Sequence, residues 1–425
     1  MGDESFKNSA HLKAEQWRLF KKQLEYISQN SPYYKRIFKQ YSISLEEINS
    51  PDDLYKIPVT TKEELQQFNK DFIAVPEDDI IDFVTTSGTL GNPVNFALNE
   101  ADLNRLAENE YQSFKLAGVK KSDKVQITTT LDRRFMAGLA YFLGLRKLGA
   151  GIIRTGSGLP QLQWESIQRF QPNYLVAVPS FLLKMIQYAE DHHIDYENSS
   201  IKAAICIGEP LRDQDFQLNS LGRKIKELWD IELFSTYAST EMATAFTECP
   251  EHKGNHVQEN LIYTEILDEN GKNVQPGETG ELVVTPLGSQ TMPLLRFATG
   301  DILSYHDSTC KCGRNTRRLS PVIGRKQQKI KLKGTSLYPQ HIIEVLNSYG
   351  RIHSFLIEAR LDEVGNDQVQ VIVPDSFKDT DELKDYFRSQ LNVAPEIKTI
   401  KSEEITQLKF TKGSRKPVVF RDFRY

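Results

Sequence analysis

Residues 174–207 read YLVAVPSFLLKMIQYAEDHHIDYENSSIKAAICI, and this stretch predicts a strand, a helix and a second strand. Residues 174–178 and 201–207 are short apolar runs, as expected for strands of a parallel sheet that is covered on both faces. Pro179 marks the start of the helix between them, which we expect to end near Ala189. Such a unit is typical of an α/β fold.

The same alternation continues on the N-terminal side, where residues 124–130 and 151–154 resemble strands and residues 136–148 a helix. From about residue 256, short strands separated by turns predict an antiparallel β section. The last hundred or so residues have a small α+β pattern of their own. We therefore predict an α/β fold. A large N-terminal domain, residues 1–326, has parallel sheets flanked by helices plus the antiparallel section, and residues 327–425 form a small α+β domain.

Composition restricts the class of protein. The 425 residues suffice for two or three domains, and a net charge of -4 argues against nucleic acid or an anionic membrane as a partner. No apolar run approaches the roughly 20 residues that cross a bilayer, and the N-terminus has no apolar signal core. Four cysteines do not make a disulfide scaffold in a chain of this length. We expect a cytoplasmic protein.

A loop rich in glycine and hydroxyl side chains lies between two apolar stretches at residues 84–93, which read VTTSGTLGNP. Glycines let backbone N–H groups approach an anion, and hydroxyls add donors, so phosphate is a natural ligand. An ordinary glycine-rich hairpin fits the same residues, and the loop alone leaves both interpretations open. The candidate phosphate-binding residues are Thr86, Ser87, Gly88, Thr89 and Gly91.

Four later segments carry side chains suited to a nucleotide, and one of them is Gly324-Arg325 with the basic stretch at residues 330–334. Residues 235–241 bring an aromatic ring, hydroxyls and a carboxylate onto what we expect to be one short loop, where Tyr237 can stack on a purine and Glu241 can bind Mg²⁺. Asp301 can accept both hydroxyls of a ribose. A basic tail follows at residues 409–417. Each segment alone is more often a solvated surface feature than a site.

The cysteines predict a metal site. Cys249 and His252 form a C-x-x-H pair, and Cys310 and Cys312 a C-x-C pair about sixty residues later. Four such ligands on turns fit a closed tetrahedral zinc site, which is structural because no position is left for water. His256 is an alternative to His252, and unligated thiols are the alternative to zinc.

The order and spacing of these segments resemble the adenylate-forming enzymes, and most closely the phenylacetate–CoA ligase family. Residues 86–93 resemble that family's phosphate loop, residues 235–241 its Tyr-Gly-x-Thr-Glu type of motif, and residues 296–301 its Arg-Tyr-x-Thr-Gly-Asp motif. Residues 337–344 are similar to the signature of its C-terminal domain. The resemblance runs from about residue 50 to the C-terminus.

The resemblance implies a two-step reaction that uses ATP, Mg²⁺ and CoA. A carboxylic acid, expected to be an aryl acid, attacks the α-phosphate of ATP to give acyl-AMP, and the CoA thiol then displaces AMP. The resemblance also implies that the small domain is mobile and rotates between the two steps about a hinge at Gln327. Dimerisation is common in this branch of the family, and the sequence neither shows nor excludes a homodimer.

Residue roles follow from matched positions in the motifs. Lys416 is implied as the catalytic lysine that neutralises charge on the α-phosphate, with Lys412 as a competitor, and Glu241 as the catalytic Mg²⁺ ligand. The residues implied in nucleotide binding are Thr86, Ser87, Gly88, Thr89, Gly91, Gly208, Glu209, Pro210, Ser235, Thr236, Tyr237, Thr240, Asp301 and Arg325. Leu90 and Asn92 replace a hydroxyl residue and a lysine of the family pattern, so we expect fewer phosphate contacts in this loop.

Two alternatives remain from the sequence. An adenylating enzyme can pass the acyl group to a carrier-protein thiol, or AMP to a cofactor hydroxyl, instead of forming a CoA thioester. A non-catalytic nucleotide-binding or zinc-stapled scaffold is the second alternative, suggested by Leu90 and Asn92.

Overall fold

A computed structural model describes residues 4–86, 94–352, 354–362, 364–409 and 418–424. The chain divides into a large unit, residues 1–299 and 303–321, and a small unit, residues 300–302 and 322–425. The α-helices of the large unit's described residues are α1 (Ser9–Asn30), α2 (Pro32–Gln40), α3 (Lys62–Gln67), α4 (Glu100–Leu116), α5 (Met136–Leu148), α6 (Pro160–Phe170), α7 (Pro179–Asp191) and α8 (Ser220–Leu228).

The strands of the large unit follow the predicted alternation. They are β1 (Asp82–Thr85), β2 (Asn95–Leu98), β3 (Lys124–Ile127), β4 (Gly151–Arg154), β5 (Tyr174–Ala177), β6 (Ala203–Cys206), β7 (Glu232–Ser239), β8 (Thr244–Glu248), β9 (Asn255–His256), β10 (Ile262–Leu267), β11 (Gly280–Pro286), β12 (Phe297–Leu303), β13 (Tyr305–His306) and β14 (Arg318–Leu319). The last strand but two, β12, crosses the division between the units.

Nine of these strands form one mixed sheet in the order β13-β14-β9-β8-β7-β6-β5-β3-β4. Strands β7, β6, β5, β3 and β4 are parallel neighbours, and β8, β9, β14 and β13 extend the sheet in antiparallel fashion. Strands β10 and β11 pair antiparallel outside this sheet. The predicted combination of parallel sheet and antiparallel section is confirmed.

Helix α7 shows why this region folds as predicted. It has Pro at its first turn and buries Leu182, Met185, Ile186 and Ala189, which recur at the spacing of one helical face. This face joins one apolar core with residues of β5 and β6. Full burial of a Leu, Ile or Met side chain contributes about 1.5–3 kcal/mol, so this stripe favours packing of the helix against the sheet.

Helices α4 and α5 pack unusually closely. A Cβ added at Gly144 of α5 would lie 2.3 Å from the Cβ of Glu110 and 2.8 Å from its backbone carbonyl carbon. A glycine is therefore required at this crossing, because a backbone atom cannot move aside as a flexible side chain can.

The small unit has an α+β fold, as predicted. Its elements are β15 (Gly324–Arg325), β16 (Ile330–Leu332), β17 (Thr335–Leu337), α9 (Pro339–Tyr349), β18 (Leu356–Leu361), β19 (Asp367–Pro374), α10 (Thr380–Leu391), β20 (Glu396–Ile400), α11 (Ser402–Lys409) and β21 (Phe420–Asp422). Four strands form a sheet in the order β20-β19-β18-β21. Buried residues of α9, α10 and this sheet make one core, which includes Ile342, Leu346, Val371 and Phe387. In neither unit is a described helix long and apolar enough to cross a membrane.

Candidate active site and metal centre

The parallel strands of the large unit end at one edge of the sheet. Ile127 lies opposite Val176, Ala177 opposite Cys206, and Cys206 opposite Ser235. The segments that follow these strands are therefore neighbours. In open α/β sheets this carboxyl edge is where ligands bind.

The β1–β2 hairpin reaches the same edge. The Thr85 backbone N–H donates to the carbonyl of Arg134, which follows β3, over 3.0 Å. The Thr86 N–H donates to the Val94 carbonyl, and the Val94 N–H donates to the Thr86 hydroxyl over 2.9 Å. Arg133 and Arg134 have φ values of 59° and 58°, and backbone strain of this kind concentrates at functional sites.

Several residues of the candidate loop lie outside the described residues. They are Ser87, Gly88, Thr89 and Gly91. Thr86 is the member of the set whose geometry is described, and its hydroxyl joins the two strands at the base of the loop.

The segment Gly208–Pro210 follows β6 at the carboxyl edge. Gly208 has a φ of 74°, which favours glycine. The Glu209 carboxylate accepts hydrogen bonds of 2.8 Å from both the backbone N–H and the hydroxyl of Ser180, in the first turn of α7. A carboxylate is stabilised at a helix N-terminus by the helix dipole, so these bonds fix the loop after β6 to the start of α7, the helix that follows the neighbouring strand β5.

The segment Ser235–Glu241 differs from the prediction of a short loop. Strand β7 continues to Ser239, and only Thr240 and Glu241 lie in the turn that follows. The prediction is wrong because Thr236–Ser239 pairs with β8 and so remains extended.

This pairing divides the segment between two faces, since neighbouring residues of a strand point in opposite directions. Ser235 and Tyr237 share one face, and the Tyr237 ring stacks on Phe246 with ring centroids 5.9 Å apart. Thr236 is buried on the other face, where its hydroxyl lies 3.2 Å from that of Thr247. The structure thus brings Ser235 and Tyr237 together and separates Thr236 from them.

A buried arginine that the sequence analysis missed fixes the turn after β7. Arg105 of α4 donates to the Ala243 carbonyl and, over 2.9 Å, to the Thr244 hydroxyl. Burial lowers the pKa of Arg105 to about 10. Glu241 lies on this turn and is partly exposed. The hydrogen bonds from Arg105 therefore hold the turn that carries its carboxylate. No motif identifies Arg105, because its role follows from packing between distant segments.

In the small unit the structure brings Asp301 and Arg325 together. The two residues pair in the β12–β15 ladder, and the Asp301 carboxylate lies 3.4 Å from Arg325 Nε. Lys416 and Lys412 lie outside the described residues. Asp301 and Arg325 thus form a carboxylate–guanidinium pair on neighbouring strands.

Arg296 begins the motif that ends at Asp301, and its side chain bonds to other residues of the large unit. Its Nε and Nη2 each donate over 2.9 Å to the Glu265 carboxylate, and its Nη1 donates to the carbonyls of Leu54 and Ile57. Burial raises the pKa of Glu265, and Arg296 opposes that shift. This buried pair joins the N-terminal segment to β10.

Four metal-ligating side chains converge elsewhere in the large unit. The ligand atoms of Cys249, His256, Cys310 and Cys312 all lie within 4.8 Å of one another. The Cys249 and Cys310 sulfurs are 3.7 Å apart, and sulfurs bound at about 2.3 Å to a tetrahedral Zn²⁺ are about 3.8 Å apart. The donor set therefore fits a closed tetrahedral site.

The fourth member of this cluster is His256, and the choice of His252 is corrected. His256 lies on β9, and its Nε2 is 3.8 Å from the Cys312 sulfur while its Nδ1 lies 2.8 Å from the Thr316 hydroxyl. The His252 ring lies beside Glu248 and Glu232 instead. A short strand that pairs with β8 and β14 carries His256 back to the sulfurs, which sequence spacing does not reveal.

The pKa values of two thiols in this cluster, Cys249 and Cys312, are shifted in opposite directions. Burial raises the pKa of Cys249. Burial also acts to raise the pKa of Cys312, but hydrogen bonds with His256 and Arg314 outweigh it and lower the value to about 5. A thiolate at Cys312 is the form that binds a metal.

Comparisons with known proteins agree with this arrangement. The family model described as AMP-binding enzyme matches residues 25–293. The chain is 28% identical over 356 residues to a phenylacetate-coenzyme A ligase of Pseudomonas putida, covering 82% of this chain and 79% of that protein. It is 26% identical over 339 residues to the phenylacetate-coenzyme A ligase of Escherichia coli (strain K12), covering 78% and 75%.

A solved structure shares the whole fold. A crystal structure of 2-hydroxyisobutyryl-CoA ligase, in the postadenylation state with an acyl-adenylate, matches with a TM-score of 0.83. The match covers 98% of this chain and 90% of that chain at 21% identity.

Proposed function

Because the chain belongs to the AMP-binding enzyme family, we propose that it is an ATP-dependent acid–CoA ligase of the phenylacetate–CoA ligase type. In the first step the acid's carboxylate oxygen bonds to the α-phosphorus of ATP as the bond to pyrophosphate breaks. In the second step the CoA thiolate sulfur bonds to the acyl carbon as AMP leaves. The observation that carries the proposal is the meeting of the β1–β2 hairpin, loop 208–210 and β7 at one sheet edge.

In this proposal the nucleotide lies across the carboxyl edge. The phosphates lie at the β1–β2 loop, residues 86–91, and the adenine lies between Gly208–Pro210 and Tyr237. Two features support this placement: Glu209 is anchored to α7, and Tyr237 is backed by Phe246, so both segments present rigid surfaces. Rigid positioning of reactants lowers the barrier more than flexible contact does.

Glu241 is the proposed ligand of Mg²⁺, which screens the charge of the ATP phosphates. A carboxylate oxygen is the ligand type that Mg²⁺ prefers, and Glu241 lies partly exposed on a supported turn. The bonds from Arg105 to Ala243 and Thr244 keep this turn in place without occupying the Glu241 carboxylate.

The small unit contributes the remaining proposed groups. Asp301 accepts the ribose hydroxyls, and Arg325, 3.4 Å away, balances its charge and contacts the ribose or phosphate. Lys416 neutralises the charge that develops on the α-phosphate, with Lys412 as the competing assignment. The small domain pivots at Gln327 between the two steps.

The Cys/His cluster is proposed to hold a structural Zn²⁺. Three sulfurs and one imidazole nitrogen leave no position for water, so the ion takes no part in the reaction. The hydrogen bond of His256 to Thr316 supports this role, because an orienting partner on the second ring nitrogen is usual for metal-bound histidine.

Acid-dependent pyrophosphate release tests the first step, and a thioester assay with free CoA tests the second. We expect pyrophosphate release only when a carboxylic acid, such as an aryl acid, is added, followed by consumption of CoA thiol. Pyrophosphate release without CoA consumption across aryl and fatty acids would favour transfer to a carrier thiol or a cofactor hydroxyl. Absence of acid-dependent release would leave only a nucleotide-binding scaffold.

A further inference from the structure

Strand β7 changes partners between two consecutive residues. Residues 232–235 pair in parallel with β6, and residues 236–239 pair in antiparallel fashion with β8. At this step the Ser235 N–H donates to the carboxylate of Glu248, the last residue of β8, over 2.6 Å. Glu248 therefore occupies the point at which the parallel sheet becomes antiparallel.

The Glu248 carboxylate also binds the segment after β6. Its side chain is 1% exposed, and its two oxygens accept from Arg212 Nε over 2.8 and 3.1 Å. Arg212 in turn donates to the Leu233 carbonyl of β7 over 3.1 Å. The His252 Nδ1 lies 3.1 Å from the same carboxylate. One buried carboxylate thus joins three separate segments.

Two of these segments belong to the proposed nucleotide site. Arg212 comes two residues after Pro210, which ends the Gly208–Pro210 loop, and Ser235 begins the stretch that leads through Tyr237 to Glu241. The first segment follows β6 and the second is the outer half of the adjacent strand β7, so a small change in their separation would alter the space for an adenine between them.

We propose that Glu248 is a positioning residue that sets the spacing between the Gly208–Pro210 loop and the outer half of β7. This inference rests on the proposed function, because it takes these segments as the adenine-binding walls. Glu248 itself touches neither reactants nor cofactor. A buried ion pair is a suitable spacer, since its geometry is enforced by the high cost of leaving either charge unpaired.

The test compares Glu248→Gln with Glu265→Gln. Glutamine at position 248 keeps an oxygen for the Ser235 N–H but removes the charge that balances Arg212. Glu265 is a matched control, because it lies on β10, outside the nine-stranded sheet, and forms a similarly buried two-bond pair with Arg296. Both variants are expected to lose stability to a similar degree.

Only Glu248→Gln is expected to change the nucleotide site. We expect its KM for ATP to rise at least about tenfold while its KM for CoA stays within about twofold of the wild-type value. Backbone hydrogen exchange should speed up in residues 208–212 and 235–241 in this variant and not in Glu265→Gln. An equal change of the KM for ATP in both variants, or unchanged exchange in these two segments, overturns the inference.

A second variant and a measurement without substrates complete the test. If Glu248→Gln does not fold, the double variant Arg212→Gln/Glu248→Gln removes both charges and avoids the unpaired guanidinium, and the same exchange pattern is expected in it. Hydrogen exchange is measured without substrates. A wild-type chain without ligase activity would therefore contradict the proposed function, while the exchange comparison would still decide the role of Glu248.

Discussion

Replacing the two histidines near the cysteines one at a time tests the metal centre most directly. We expect the wild-type chain and His252→Ala to carry one zinc per chain, and His256→Ala to carry none. The physical reason is that the His256 Nε2 lies 3.8 Å from the Cys312 sulfur, whereas the His252 ring is engaged with Glu248 and Glu232.

The size of the effect follows from linkage. An ion that binds only the folded chain stabilises it by RT ln(1 + [L]/Kd), which is about 4 kcal/mol at a free concentration 1,000-fold above Kd. The large unit has about 320 residues. At about 2.1 cal/mol/K per residue, its unfolding entropy is about 0.7 kcal/mol/K. Removal of the ion should therefore lower the Tm of the large unit by about 6 °C.

Metal analysis and scanning calorimetry, each with and without a chelator, provide the measurement. In the wild-type chain and in His252→Ala, the chelator should lower the Tm by about 6 °C and added zinc should restore it. The Tm of His256→Ala should change with neither treatment. Zinc retained by His256→Ala but lost by His252→Ala would refute the assignment. A wild-type chain without zinc, and with a Tm that the chelator does not change, would refute the site itself.

Three further predictions concern the reaction and the fold. Lys416→Ala should slow pyrophosphate release about 100- to 1,000-fold in a single-turnover assay, because it removes a charge that acts on the transition state. Unchanged release in Lys416→Ala, together with slow release in Lys412→Ala, would assign the catalytic role to Lys412. Glu241→Gln should raise the Mg²⁺ concentration for half-maximal release about tenfold or more, since a neutral amide binds the ion more weakly than a carboxylate; an unchanged Mg²⁺ titration would contradict its role. Gly144→Ala should lower the free energy of unfolding in urea by about 1–2 kcal/mol, because overpacking against Glu110 outweighs a helix-propensity gain of about 1 kcal/mol; a stabilised variant would show that α4 and α5 can separate at little cost.

The sequence predicts the layers of this fold well because they depend on local periodicity. The buried face of α7 and the apolar runs of β5 and β6 are visible as patterns, and the structure has them where they are expected. The order of strands within the sheet is not local, and neither is the continuation of β7 through Tyr237, which depends on pairing with β8. The hydroxyl and small side chains of residues 235–240 predict a loop, and only the pairing with β8 shows that most of them lie in a strand.

The residues of the candidate site likewise fall into those that the sequence indicates and those that only the structure reveals. Residue types and spacing are enough to propose Glu241, Asp301 and the cysteines as candidates, since chemistry restricts which side chains can bind Mg²⁺, a ribose or zinc. Arg105 and Glu248 could not be found, because each is defined by distant backbone groups that it holds. His256 is an intermediate case: it becomes the candidate fourth ligand only when its place on β9, with its ring beside the Cys312 sulfur, is known.

The contacts of Arg296 have a consequence for the order in which the chain folds during synthesis. Its guanidinium donates to the carbonyls of Leu54 and Ile57 and to the Glu265 carboxylate. The segment that contains Leu54 and Ile57 therefore gains its contact with Arg296 only after more than two hundred further residues have been made. Contacts between such distant positions carry a large loop-closure cost and form late. A ribosome-bound chain that ends before Arg296 should therefore leave its first sixty or so residues open to protease, and they should become protected when translation has passed β12.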